Sequence, residues 1–412
     1  MTQQQTGAEL RRGSEVHLQW AMCGRAELAR VHRGRAPAGP ASMAGLCGAH
    51  GLGAAMRKTA VASGIIGVVL VAAAFLLAFW ITPAYIARLQ SDSSTVRNYD
   101  GQIRTLVNPV ALRQGNLAAA IKVGLPETLR RQVKVLQTSG NTALVQDATT
   151  VTASGRQVGG LTSKYAIDRT SFQATSSHPS TWSVTDAKGQ TFNWPIGTKQ
   201  QNYTGWVPYT LTTIPLKYTG QAQRNGISTY VYQATVPATP VKNSQVLAVL
   251  PKSVPVSLLQ GAAKAGLIPG SMLASLGKAF PGLSSVPLGY VYQATSTYWV
   301  APATGIVVDA NTDEKEVAGV ALPNGKIVPV LPVLADSYKF SSSSVQGAVT
   351  DANNGSSTIN TFGTILPIVA GVLGFLLVVL AVFLWMRGRS HGVGGRGHQV
   401  SGPDLGPVDA RP

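Results

Sequence analysis

Between Arg88 and Asn360 the chain has one histidine, His178, in the loop-like stretch Ser176-Ser177-His178-Pro179-Ser180. One imidazole cannot build a multi-histidine metal site, and any Ser-His-Asp triad would have to run through it. No G-x-S-x-G, H-E-x-x-H or P-loop pattern occurs anywhere. Asp309-Ala310-Asn311-Thr312-Asp313-Glu314 begins like a calcium loop, but it lacks the glycine at the sixth position and has Val320 where the bidentate glutamate belongs. A solvated turn after a strand fits it better. Asp168-Arg169 reads as a structural ion pair, with each other or with neighbours. The chemistry left is that of carboxylates. A hydrolase built on Asp and Glu alone would need two acids facing each other in one cleft. No catalytic residue, cofactor or metal ligand follows from the sequence, and the chain reads as non-enzymatic.

The elements that must carry any site are legible. Thr59 to Ile86 and Phe362 to Met386 are uncharged and apolar, each long enough at 1.5 Å per residue to cross a hydrocarbon core of about 30 Å. Arg57 and Lys58 precede the first and Arg387 and Arg389 follow the second, while the inner flanks are poorer in positive charge. The positive-inside rule then puts both termini in the cytoplasm of a plasma-membrane protein, with residues 88–360 extracytoplasmic. Trp80, Tyr85 and Trp385 suit the interface belt. Ser63…Gly67 and Ala370…Gly374 have the small-xxx-small spacing that lets two spans pack closely.

Five domains or segments result: 1–55, a basic tail or an upstream extension of a chain starting at Met56; 56–87, the first span with its basic flank; 88–360, the β-rich domain; 361–386, the second span; and 387–412, a polar tail. Both cysteines, Cys23 and Cys47, lie in the first segment, so residues 88–360 must fold by burying a core. The net charge is +17, and residues 86–361 hold 22 basic against 12 acidic residues. This excess is scattered rather than striped, which argues against nucleic acid and fits attraction to anionic lipid or wall polymer.

Hairpins dominate residues 88–360. Val133–Leu136 and Ala143–Gln146 meet across Thr138-Ser139-Gly140-Asn141. Leu216–Tyr218 and Ser228–Val236 meet across Arg224-Asn225-Gly226. Tyr298–Val300 pairs with Ile306–Asp309, and Val317–Leu322 with Lys326–Val330. Trp182–Thr185 and Gln190–Trp194 read as a further hairpin around Lys188-Gly189. The hexapeptide Tyr-Val-Tyr-Gln-Ala-Thr occurs at Tyr230–Thr235 and Tyr290–Thr295, as if marking paired strands. The fold class read from this is mainly β (α+β): an antiparallel sandwich or partly closed barrel with a short helical insertion, flanked by two transmembrane helices. The insertion is residues 256–280, two short helices. Leu258, Leu259, Met272, Leu273, Leu276 and Phe280 fall on their apolar faces. They either pack on the sheet or form an apolar surface for a ligand or partner.

Lys164-Tyr165-Ala166-Ile167-Asp168-Arg169, Phe192-Asn193-Trp194-Pro195-Ile196-Gly197 and Tyr298–Asp309, with the order span, β-domain, span, resemble the actinobacterial two-span family labelled porin PorA, a domain of unknown function. The resemblance covers Met56 to about Arg389 and implies an envelope membrane protein. The sequence reading is a membrane-anchored extracytoplasmic β-domain that binds lipid or wall polymer. The alternative is a channel, which with two helices per chain requires a homo-oligomer.

Overall fold

The computed structural model describes residues 49–390 except 109, 112–113, 115, 265, 267–268, 280–281 and 283. The chain forms two compact units, Met1–Ala54 and Ala55–Pro412. Of the first, only Ala49–Ala54, the start of a helix, is described. Cys23 and Cys47, and the tail beyond Ser390, lie outside the described residues.

Helix α1 (Ala49–Leu76) continues as a π-helical stretch, Leu77–Ile86, that contains Pro83. Proline removes a backbone donor, and a widened turn accommodates the loss. At the other end of the chain α5 (Ser342–Asn360), a π-turn (Thr361–Ile365) and α6 (Leu366–Ser390) form one continuous rod. Lys58–Ile86 and the rod ending at Arg387 are long and apolar enough to cross a membrane. They pack at Gly67 and Gly374: a Cβ on either would sit 2.6 Å from the other's carbonyl oxygen. Only hydrogen side chains permit that approach.

Between the helices the sheet closes on itself. Its strands are β1 (Ser94–Val107), β2 (Ile121–Lys122), β3 (Leu125–Ser139), β4 (Thr142–Ala153), β5 (Arg156–Asp168), β6 (Gln173–Ala174), β7 (Gly189–Gln190), β8 (Tyr203–Val207), β9 (Thr212–Arg224), β10 (Ile227–Pro240), β11 (Ser253–Pro255), β12 (Ser285–Ala301), β13 (Ile306–Ala321) and β14 (Ile327–Phe340). The order runs β10-β9-β8-β7-β6-β5-β4-β3-β1-β14-β13-β12, and β10 then pairs with β12. Twelve strands make the ring, with β2 and β11 beside it. All ring pairings are antiparallel except β7 with β8.

This closed barrel corrects the sandwich and partly closed barrel expected from sequence, and with them the picture of a sandwich merely flanked by two spans. Strand alternation is the same in all three architectures, so only the long-range β10–β12 ladder separates them. The rod is also not a separate flank, because α5 is docked on the barrel wall. Ser344, Ala348 and Ala352 are buried along one face, Ser344 Oγ accepts from Asn98 N at 2.7 Å, and Arg97 pairs with Asp351 at 2.6 Å.

Several local expectations need correction too. Asp309–Glu314 is the middle of β13 rather than a turn. Trp182–Trp194 is mostly irregular, with only Gly189–Gln190 in a strand. Asp168 and Arg169 do not pair with each other. Asp168 accepts from Ser171, Thr170 and Asn141, while Arg169 donates to the carbonyls of Leu89 and Gly140. The two hexapeptides do lie on paired strands, but end to end: Thr235 faces Thr295.

The wall has a polar exterior. On β1, Asn98, Asp100, Gln102 and Arg104 are exposed while Tyr99, Ile103 and Val107 are buried. On β9, Lys217, Thr219, Gln221 and Gln223 alternate outward. An apolar outward band of the kind that lets a barrel sit in lipid is absent from these strands.

Gly305 ends the β12–β13 turn at φ +71°, and a Cβ there would collide with the Trp194 carbonyl oxygen. Trp194 N donates to Gly305 O at 3.1 Å, so this contact joins two of the sequence motifs. Gly325 has a similar φ of +78° but open space around it. Gly305→Ala is expected to cost about 2–4 kcal/mol and Gly325→Ala about 1 kcal/mol. Thermal unfolding of the purified chain checks the difference.

Candidate functional site

Inward-facing side chains form three levels along the barrel. The first lies where the helices meet the wall. A cavity of about 740 Å³ there is lined by barrel residues Val133, Val135, Val145, Ile306, Val307 and Phe340, and by Tyr85, Ile86, Thr358 and Ile359 from the helix ends. The volume falls in the range of about 300–1,000 Å³ usual for ligand pockets. Arg131 lines its depth, holding Asp147 through two bonds of 3.0 and 2.6 Å and the Thr191 carbonyl at 2.9 Å. The first helix is tied to this mouth by paired bonds: Leu89 N to Arg169 O at 2.7 Å and Arg169 Nε to Leu89 O at 2.8 Å.

The middle level is acidic and phenolic. Register sets Glu127 opposite Gly101, Gly101 opposite Tyr338, Asp336 opposite Ile103 and Glu314, and Glu316 opposite Tyr292. Four carboxyl side chains thus share one layer of the interior, all nine-tenths buried or more. Tyr292 and Tyr338 donate to Glu314 Oε2 at 2.8 and 3.0 Å, and Tyr209 stacks on Tyr292 at 4.5 Å. Both oxygens of Glu127, Oε1 of Glu316 and Oδ1 of Asp336 have no hydrogen-bond partner. Gly101 makes room for Glu127, since a Cβ there would stand 2.6 Å from its Oε1.

Burial dominates the protonation of this layer, because a charge without water or a counter-ion is costly. It pushes Glu127 and Glu316 up to about 7, each helped by the charge of Glu314. It pushes Asp336 up to about 9, with Glu314 and Glu127 adding and Arg104 opposing. Glu314 is raised by burial, against the pull of its two tyrosine donors.

Facing acids are the sign required of a carboxylate hydrolase, yet none of the four lines the mouth cavity. Among the described residues no cluster of His, Cys, Asp or Glu is arranged to hold a metal ion. The sequence reading missed this layer. Glu314 and Glu316 share a face of β13 by simple alternation, but Asp336 and Glu127 reach them only through the β13–β14, β14–β1 and β1–β3 ladders.

The far level belongs to the insertion. Helices α2 (Ser244–Val249), α3 (Val256–Lys264) and α4 (Gly270–Ala279) lie at the other end of the β12–β13 hairpin. Leu259 is buried, and Leu258 and Leu273 pack on Val254, Val286 and Val320. Leu258 and Leu259 also line an apolar cavity of about 90 Å³, much smaller than the mouth. The side chains of Met272 and Leu276, and Phe280 as a whole, lie outside the described residues. His178 stays in its loop, stacked on Trp182 with Nδ1 3.0 Å from Pro179 O.

A closed barrel fused to two long apolar helices, with an internal cavity at their junction, defines a membrane-associated barrel protein. The chain belongs to the family described as Porin PorA, whose model matches residues 60–383. No curated protein matches it. Among solved structures, an acyl-CoA thioesterase II, TesB2, from Mycobacterium marinum aligns at 11% identity over 60% of this chain and 80% of that one, with a TM-score of 0.11. So low a score carries no argument.

The raised carboxyls bind protons in the folded chain that the unfolded chain releases. As pH rises from about 4, the unfolded value, toward about 9, folding stability should therefore fall. Asp336→Asn and Glu316→Gln remove that loss. Each is expected to raise Tm by about 3–6 °C near pH 8.5 and to change it little near pH 5. Melting curves at the two pH values test the sign.

Proposed function

We propose that this porin-family protein is a conduit whose passage is the barrel lumen, with an amphiphilic small molecule entering at the mouth beside the helices. The carrying observation is the cavity of about 740 Å³ walled by both barrel interior and helix ends. In this reading the two helices cross the plasma membrane, both termini are cytoplasmic, and the barrel stands in water outside. The polar exterior of β1 and β9 and the exposed apolar side chains of the helices, such as Phe79, Trp80, Leu373 and Phe375, support it. The lumen belongs to one chain, so the passage needs no homo-oligomer. Lipid is favoured over wall polymer as the occupant because the cavity wall is largely aliphatic and aromatic. A second reading, conduction of cations, is favoured by the four lumenal carboxyls, since acidic rings select cations in pores.

Thr95 and Thr358 line the mouth without being core residues. Thr95→Trp and Thr358→Trp should each cut transfer of a fluorescent single-chain amphiphile between protein-bearing vesicles by about fivefold or more, with unchanged melting. Transfer indifferent to both would reject the conduit. Discrete conductance steps in planar bilayers that Asp336→Asn alters would favour the cation reading instead.

A further inference from the structure

Four arginines stand near the cavity mouth, and three have settled partners. Arg97 pairs with Asp351, and Arg131 with Asp147. Arg169 spends its guanidinium on the carbonyls of Leu89 and Gly140. Among the described residues Arg88 has neither a carboxylate nor a carbonyl for its side chain. Its Nε is buried with no hydrogen-bond partner, its guanidinium lies 5.1 Å from the centre of the Tyr85 ring, and it lines the cavity. Asp92 lines the same cavity but forms no ion pair with it among the described residues.

A buried donor without an acceptor costs free energy; Arg88 is half-buried with its Nε in that position, and it has a like charge for company. Arg169, nine-tenths buried, is close enough that the two repel, and its pKa is lowered first by burial and then by Arg88. The chain leaving the first helix thus brings Arg88 to the rim of a largely apolar cavity, and Arg169, which does not line it, adds its positive field from beside Leu89. The arrangement is complementary to a molecule with an anion at one end and a hydrocarbon chain at the other. The forked donors of arginine suit phosphate or carboxylate.

We propose that the mouth cavity binds an anionic amphiphile, with its phosphate or carboxylate headgroup on Arg88, backed by the field of Arg169, and its chain among Val133, Val145, Val307 and Phe340. This rests on the conduit reading and names the class of molecule that uses it. The rim position also fits the reading's geometry. Arg88 follows the π-helical stretch by two residues, beside Tyr85, at the level where a lipid headgroup would lie if the helix spans the membrane.

The test uses the full chain in nanodiscs of a zwitterionic lipid. Binding of three probes is titrated: an oleoyl lysophosphatidic acid, the monoacylglycerol of the same chain, and inorganic phosphate. The phosphate-headed amphiphile should bind at least about tenfold more tightly than the neutral one. Arg88→Gln should erase that preference without weakening the monoacylglycerol, and Arg88→Lys should restore part of it. Arg88 makes no side-chain hydrogen bond among the described residues, so Arg88→Gln is expected to melt like the parent. Equal binding of both amphiphiles, unchanged by Arg88→Gln, would overturn the headgroup assignment and leave the conduit standing. Inorganic phosphate binding as tightly as the amphiphile would overturn it too, by making the site an anion site indifferent to the chain. If neither amphiphile binds, or Thr358→Trp displaces neither, the conduit reading itself fails.

Discussion

When Tyr230 to Val236 of β10 pair with Ala294 to Val300 of β12, the last free edge of the sheet disappears. Backbone donors and acceptors on both strands are then satisfied by the chain itself, and the ring acquires an inside. Every unusual property of the molecule follows from that enclosure. Carboxyl side chains pointing inward from an open sheet would meet water; inside the ring Glu127, Glu314, Glu316 and Asp336 meet tyrosines and one another. The mouth cavity likewise exists because the wall curves round it and the helix ends close one side.

The interior does not have the character of an ordinary protein core. Its apolar clusters, among them those at the mouth and under α3 and α4, share the interior with a layer of acids and phenols that has several unpartnered oxygens. Such a layer weakens the fold at neutral pH, because burial raises each carboxyl and the carboxyls raise each other. Selection for stability alone would replace these groups with aliphatic ones. Their presence is physically coherent with a lumen that handles a proton, a cation or the polar part of a passing molecule. The outer wall obeys the opposite rule and carries Asn, Asp, Gln, Lys and Arg to solvent.

The junction of helix and barrel determines how the two environments communicate. Leu89 and Arg169 exchange backbone and guanidinium bonds, α5 lies along β1 and β13, and the rod runs without a break into α6. The first helix and the rod meet again at Gly67 and Gly374. The motifs that carry the family likeness are explained by the same joints: Asp168-Arg169 holds the chain leaving the first helix, and Trp194-Pro195 seats against Gly305 at the mouth.

Local physics made much of this readable from sequence. Apolar length and uniformity mark both helices, since composition needs no partner to be recognised. Gly140-Asn141, Asn225-Gly226 and Asn324-Gly325 mark their hairpins, because a tight turn demands particular backbone conformations over two or three residues. Tyr230, Tyr232 and Ala234 alternate onto one face of β10 and pack in one cluster, as a period of two demands. Three-dimensional pairing alone decided the rest. Closure depends on residues separated by some sixty positions in chain, and alternation is blind to whether a sheet's last strand finds its first. Leu258, Leu259 and Leu273 pack on a core because β11 and β12 rise to meet them. Asp309–Glu314 looks like a turn by composition, yet hydrogen bonds from strands on either side hold it extended. Arg88 carries no signal in sequence beyond following an apolar segment; its lack of a partner among the described residues is a property of the space around it, and that space exists only once the barrel has closed.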